Sequence, residues 1–334
     1  MSRPRHWQPD VLGAEFEQLT LDLAPDDEGE VVATLVRAVA PRAGLFARRG
    51  PLDAVDVLYL HGWSDYFFQK RLAAFWTARG ARFFALDLRK YGRSLREGQT
   101  AGFVTDLGSY DEDLAAALAA MGRPLGVPSS RRLVLLGHST GGLVLSLWAA
   151  RHPGLACALI LNSPWLEFQL SGLSRAALTP VVELQASLRP RAVAPQVDLG
   201  FYSRAQAEVR EPDDVEVNLQ WRPEQSMPVH AGWLKAVLAG HAQVAAGLRL
   251  DAPSLVLLSA RSAIPSRWSE ELTRADSVLV VDDIARAALK LGASVTVERI
   301  DGAIHDVFLS RHQAREDAYA RLAWWVDGLL GSRR

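Results

Sequence analysis

Residues 133–154 read LVLLGHSTGGLVLSLWAARHPG, and the reading of this stretch decides the fold. An apolar run suited to a buried strand ends at Gly137, and a segment with helical character begins near Thr140. Between them lies Gly137-His138-Ser139-Thr140-Gly141, a G-x-S-x-G pattern set directly between a predicted strand and a predicted helix. A strand that turns sharply into a helix forces the residue at the corner into strained backbone geometry. Small neighbours such as Gly137 and Gly141 keep side chains out of that corner. Ser139 then stands above the sheet as a candidate nucleophile, and the N-terminal amides of the helix point to where an oxyanion would develop.

Outward from this turn, short apolar runs alternate with amphipathic stretches, the pattern of a mainly parallel sheet covered by helices on both faces. Runs at 55–60, 82–86, 132–136, 157–161, 254–259 and 294–300 read as strands buried on both faces. The opening runs EFEQLTLDL and EVVATLVRAV alternate polar with apolar around PDDEG and read as an antiparallel hairpin at a sheet edge, making eight strands in all. Helical periodicity fills 109–121 and 311–330, and in the latter Ala320, Leu322, Trp325 and Leu329 read as one inward stripe. From Pro164 to Leu250 the strand rhythm breaks, with prolines separating helical fragments. This divides the chain into a catalytic core of residues 1–163 and 251–334 and an inserted cap of residues 164–250.

The strand VDVLYL ends in His61-Gly62-Trp63-Ser64-Asp65, and a His-Gly at a strand end is a place for a second oxyanion donor. The expected donors are the backbone amides of Trp63 and Thr140. Gly62 leaves room for a carbonyl, His61 holds the loop, and Asp65 reads as the cap of a helix starting near Tyr66. A serine needs a base, and in this architecture the chain order is serine, acid, histidine. His305 follows the run SVTVERI on a loop at the strand's C-terminal end, where functional groups collect in open parallel sheets. Asp276 leads as the carboxylate that orients it. Asp282 is the alternative, although Asp282 and Asp283 also suit the cap of a following helix.

With HGWSD, DLRKYGRS, GHSTGG and GAIHD in this order, the chain resembles the monoacylglycerol lipase and lysophospholipase branch of the α/β hydrolases, which includes the S33-type serine aminopeptidases. The resemblance spans most of the chain. It departs from the family in two places: Lys90 stands where the pattern D-x-R-G-x-G-x-S has its first glycine, and Ser262 stands where G-x-x-D has its acid, which implies either an insertion before Asp276 or displacement of the acid to another strand. The resemblance implies a cap over an acyl-binding groove. Trp63, Trp165, Phe168, Trp221 and Trp233 are candidates for its lining or for the cap's own core.

Composition excludes other classes. Lys plus Arg number 37 against 38 for Asp plus Glu, so there is no basic excess for nucleic acid. No run of about 18 apolar residues marks a membrane span, and no signal peptide is evident, so a cytoplasmic location is expected. With neither H-E-x-x-H nor G-x-G-x-x-G, the expected chemistry uses no metal and no organic cofactor. The expected partner is a small ester, with lipid-like esters in range. An amidase or proline-directed aminopeptidase with the same three residues is the alternative within the enzyme class, and a non-catalytic ligand-binding scaffold the alternative outside it.

Overall fold

The computed structural model describes residues 6–39, 50–168, 180, 182–194, 198–264 and 266–331. Nine strands form one sheet: β1 (Gln8–Asp10), β2 (Gly13–Asp22), β3 (Val32–Ala38), β4 (Val55–Leu60), β5 (Arg82–Asp87), β6 (Arg132–His138), β7 (Ala158–Asn162), β8 (Ser254–Ser259) and β9 (Val295–Ile300), in the order β1-β2-β3-β5-β4-β6-β7-β8-β9. The first three strands pair antiparallel, as does β3 with β5, and every pair from β5 to β9 is parallel. Helices α1 (Lys70–Thr77), α2 (Tyr110–Ala120), α3 (Thr140–Arg151), α4 (Phe201–Val209), α5 (Ala231–Ala246), α6 (Val281–Ala288) and α7 (His312–Leu330) are distributed along it. Among the described residues, no helix is long and apolar enough to cross a membrane.

Strands β4, β6, β7 and β8 are apolar and buried, each face meeting a separate core. One core joins the sheet to Leu114 and Leu118 of α2, Leu143 and Trp148 of α3, Val237 of α5 and Ile284 of α6. The other joins it to Leu72 and Trp76 of α1 and to Ala318, Leu322 and Val326 of α7. The inward stripe of α7 therefore runs through Ala318, Leu322, Val326 and Leu330, while Ala320 and Leu329 are exposed and Trp325 is half-buried, reaching Thr296 through its indole N–H at 3.2 Å. The expected stripe followed residue type. Helix phase is set by what the helix lies on, and a tryptophan with a polar partner sits well at the margin.

Two further expectations are corrected. Strand β9 is not buried on both faces: as the last strand of the sheet it is half-buried along most of its length. The sheet also has nine strands rather than eight, the additional one being β1. Three residues carry no legible alternation, and a distant side chain holds them. Arg93 donates from Nε and Nη2 to the two Asp10 oxygens at 2.7 and 2.9 Å, and from Nη1 to Asp87 at 2.8 Å, with all three side chains buried.

Lys90 adopts the left-handed backbone conformation that favours glycine, with φ +63°. Its buried ammonium lies 2.5 Å from both Glu28 and Asp26 in the β2–β3 turn. Burial alone would raise the Glu28 carboxyl, but hydrogen bonds from Lys90 and Thr100 hold it down at about 2. A carboxylate depressed by folding stabilises above its unfolded pKa, and the contribution is lost as pH falls from 4.5 toward 2. Lys90→Met is therefore expected to melt below the wild type at pH 7, with the gap narrowing as pH drops toward 3. A gap independent of pH in scanning calorimetry would remove the ion pair as its source.

Candidate active site

The chain passes from β4 to β5 on one side of β4 and then to β6 on the other, so the sheet's order reverses between β4 and its neighbour β6. Ligands of open parallel sheets bind at the C-terminal ends of strands at such a reversal. There, Leu60 of β4 pairs with Gly137 of β6, which sets the His61-Gly62 loop beside Ser139.

Ser139 separates β6 from α3 at φ 51° and ψ −119°, a backbone conformation that non-glycine residues rarely adopt. The surroundings enforce it. Its amide donates to Asn162 O at 3.0 Å, and its carbonyl accepts the Gly142 and Trp165 amides, each at 3.0 Å. A β-carbon on Gly141 would lie 2.3 Å from His61 O, and one on Gly137 would lie 2.7 Å from Gly142 Cα, so neither position admits a side chain. A β-carbon on Gly62 would stand 3.0 Å from that of Ser139. The loop after β4 thus approaches the serine because residue 62 is glycine.

Among the described residues, the backbone amides of Trp63 and Thr140 have no protein acceptor. Beside them, His61 is fully engaged: Nδ1 donates to Gly62 O at 2.8 Å and Nε2 accepts the Leu88 amide at 3.1 Å, which joins the loop to the end of β5. His138 lies behind Ser139 with Nδ1 at 3.1 Å from Asn162 O, and burial lowers its pKa, keeping it neutral.

His305 is buried on the loop after β9 and donates from Nδ1 to Asp276 Oδ2 at 2.9 Å. The other Asp276 oxygen accepts the amides of Val278 and Leu279 at 2.7 and 2.8 Å, and the residue is fully buried. The backbone explains how Asp276 gets there. The chain leaves β8 and returns at Asp276, which bridges to Ser262, its amide donating to Arg261 O at 3.0 Å and its carbonyl accepting the Ala263 amide at 2.8 Å. Because the chain returns to Ser262 at Asp276, the carboxylate occupies the strand end despite the longer chain before it. The His305 ring lies 5.0 Å from that of His138 and edge-on to Tyr202 of α4 at 5.4 Å.

Asp282 is not brought to His305. It sits in the first turn of α6, 64% exposed, paired with Arg299 at 2.7 Å. Neither Asp282 nor Asp283 caps that helix; the Val281 amide is taken by Ser262 Oγ at 2.8 Å, because residue 262 is already held beside Asp276. Asp65 does not cap a helix either. Helix α1 starts later, at Lys70, and Asp65 is buried against Arg222, whose Nε lies 3.0 Å away.

The aromatic candidates separate. Trp63 packs on Trp233 with ring centres 3.8 Å apart, and Trp165 lies 6.0 Å from Trp233 and 5.9 Å from Phe168. Trp233 is also a buried member of the core. Trp221 belongs elsewhere: it stands edge-on to Tyr66 at 5.2 Å under Arg93, in the core on the other face of the sheet. The feature that reading along the chain misses is Asn162. Its carbonyl holds the Ser139 amide, its side chain donates to Asp306 at 2.7 Å, and its Oδ1 accepts the Val307 amide at 3.2 Å, which ties the serine turn to the histidine loop. A polar residue closing the apolar run CALIL, with Ser163 directly after it, is its only signal.

The family model described as serine aminopeptidase, S33 matches residues 54–311, a stretch that contains Ser139, Asp276 and His305. The chain belongs to this family. The S33 chain is 27% identical over 253 residues to the monoacylglycerol lipase of Mycolicibacterium smegmatis, covering 75% of this chain and 81% of that one. Among solved structures it is similar to a soluble variant of monoglyceride lipase from Saccharomyces cerevisiae, with TM-score 0.64 and 15% identity over 98% of this chain and 97% of that chain. It is also similar to the monoacylglycerol lipase of Paleococcus ferrophilus, with TM-score 0.60 and 15% identity over 84% and 97% of the two chains. The S33 chain is thus an α/β hydrolase of the monoacylglycerol lipase-like branch.

Proposed function

We propose that the protein is a cytoplasmic serine hydrolase that cleaves carboxylic esters through an acyl-enzyme on Ser139. The observation that carries this is the buried Asp276–His305 hydrogen bond beside the strained Ser139 turn. In the proposed sequence His305 takes the Ser139 proton, Ser139 attacks the ester carbonyl, and the Trp63 and Thr140 amides hold the oxyanion. His305 returns the proton to the leaving alcohol, and water then attacks the acyl-enzyme with His305 again as base. Asp276 fixes the imidazole orientation and stabilises its cation. In this reading the cap is the inserted stretch 164–250, of which residues 169–179, 181 and 195–197 lie outside the described residues, and Trp63, Trp165, Phe168 and Trp233 wall the acyl side. The monoacylglycerol lipase relatives favour an acylglycerol substrate, and the sequence resemblance adds lysophospholipid-like esters to the range.

An aminopeptidase must offer carboxylates to a free amine. Of the acidic residues in the cap, Glu208 pairs with Arg204, Asp214 with Arg315, and Glu211 with Arg71 and Arg315, which favours the ester reading. Hydrolysis of p-nitrophenyl esters from acetate to palmitate, set against prolyl p-nitroanilide, tests it. The expected result is a kcat/KM for the best ester at least about 1000-fold above the anilide, a difference of roughly 4 kcal/mol. Preference for the anilide would overturn the reading.

A further inference from the structure

Thr140 opens α3 directly after Ser139, and its hydroxyl has a different environment from the other hydroxyl in that helix. The residue is buried, and among the described residues its Oγ1 has no hydrogen-bond partner. A helical serine or threonine can turn its hydroxyl onto the carbonyl one turn back. Ser146 in α3 does so, donating to Gly142 O at 2.7 Å. Thr140 has no helical turn behind it, because the residue four positions back is Leu136, inside β6 and paired with both β4 and β7.

A buried hydroxyl left without an acceptor costs about 1–3 kcal/mol. Valine has the same shape without that cost. An unsatisfied buried group calls for an explanation, and beside a nucleophile that explanation is an acceptor brought by the reacting molecule. Covalent geometry identifies that acceptor: in a gauche rotamer Oγ1 lies about 3 Å from the nitrogen of its own residue, so both can converge on one oxygen. The Thr140 amide is a donor without a protein acceptor beside Ser139.

We propose that the Thr140 hydroxyl is a third oxyanion donor, completing the amides of Trp63 and Thr140; this rests on the reading of Ser139 as nucleophile. As Ser139 adds to the carbonyl, the π electrons move onto the carbonyl oxygen and the Thr140 O–H donates a hydrogen bond to it. The threonine keeps its proton throughout, and the bond shortens as charge accumulates, so its effect falls on the transition state rather than on bound ester.

Thr140→Val removes the hydroxyl and preserves the shape. With p-nitrophenyl butyrate, kcat is expected to fall about 10- to 100-fold while KM stays within about threefold. Thr140→Ser is expected to recover kcat to within about threefold of wild type, since it restores the donor. Affinity for a trifluoromethyl ketone, which forms a tetrahedral oxyanion on serine, is expected to drop with kcat in the valine variant. Should the valine variant fail to fold, Thr140→Ala against Thr140→Ser gives the same comparison, the two differing by the hydroxyl alone. Wild-type kcat and ketone affinity in a folded variant without the hydroxyl overturn the proposal. Fluorophosphonate labelling of the wild type, mapped by mass spectrometry, separates the two levels. A labelled Ser139 with no effect of the hydroxyl ends this proposal alone, and absence of labelling ends it together with the reading of the nucleophile.

Discussion

Ser139→Ala is expected to lower turnover of p-nitrophenyl butyrate by about 10⁶-fold, the scale on which a serine hydrolase loses its covalent route. The same substitution is expected to leave the melting temperature within a few degrees. Alanine in the left-handed corner carries a β-carbon just as serine does, and the hydrogen bonds that hold the turn come from the backbone of residue 139. The structure thus separates chemistry from stability at this position. A fluorophosphonate should add one equivalent to the wild type and none to the variant. Retention of more than about one part in a hundred of the wild-type rate would displace Ser139 as nucleophile.

Asp276→Asn is expected to lower kcat by about 10⁴-fold. The amide oxygen can still accept the Val278 and Leu279 amides that Asp276 Oδ1 accepts, so the turn survives. Its NH₂ group then meets His305 Nδ1 and holds that nitrogen unprotonated. The imidazole is left in the wrong tautomer to act as base at Nε2, and the cation that forms on proton transfer loses its carboxylate. Asp282→Asn is the control. It removes an exposed pair with Arg299, worth about 0–1 kcal/mol, and is expected to leave kcat at the wild-type value. A large loss from Asp282→Asn with little from Asp276→Asn, measured under identical conditions, would reverse the assignment of the acid.

The region around these residues was legible to different depths. The turn at Ser139 is written locally: the apolar run, the glycines and the helical segment are consecutive, and the sterics that demand Gly141 act against His61, one strand away. The strand runs 55–60 and 254–259 coincide with β4 and β8 because a strand covered on both faces must be continuously apolar. His305 could be singled out as the histidine that follows a strand at its C-terminal end. The acid could not be fixed in this way. Asp276 and Asp282 lie only six positions apart, one before the helix and one in its first turn, and the contact that separates them, the return of residue 276 to Ser262 and the end of β8, spans a loop.

By itself, the sequence determined the α/β alternation and the sharp turn that places Ser139 between strand and helix, because periodicity and the glycines flanking the serine are written in consecutive residues. Tertiary structure decided that Asp276 rather than Asp282 meets His305, and that Trp233 reaches Trp63 while Trp221 packs beneath Arg93 on the other face. It also decided that Asp10 closes an additional strand, β1, held by Arg93, and that Asn162 ties the serine turn to the histidine loop. Each of these outcomes depends on which partner a buried polar or aromatic group finds across the sheet, and such pairing is fixed by the packing of distant segments.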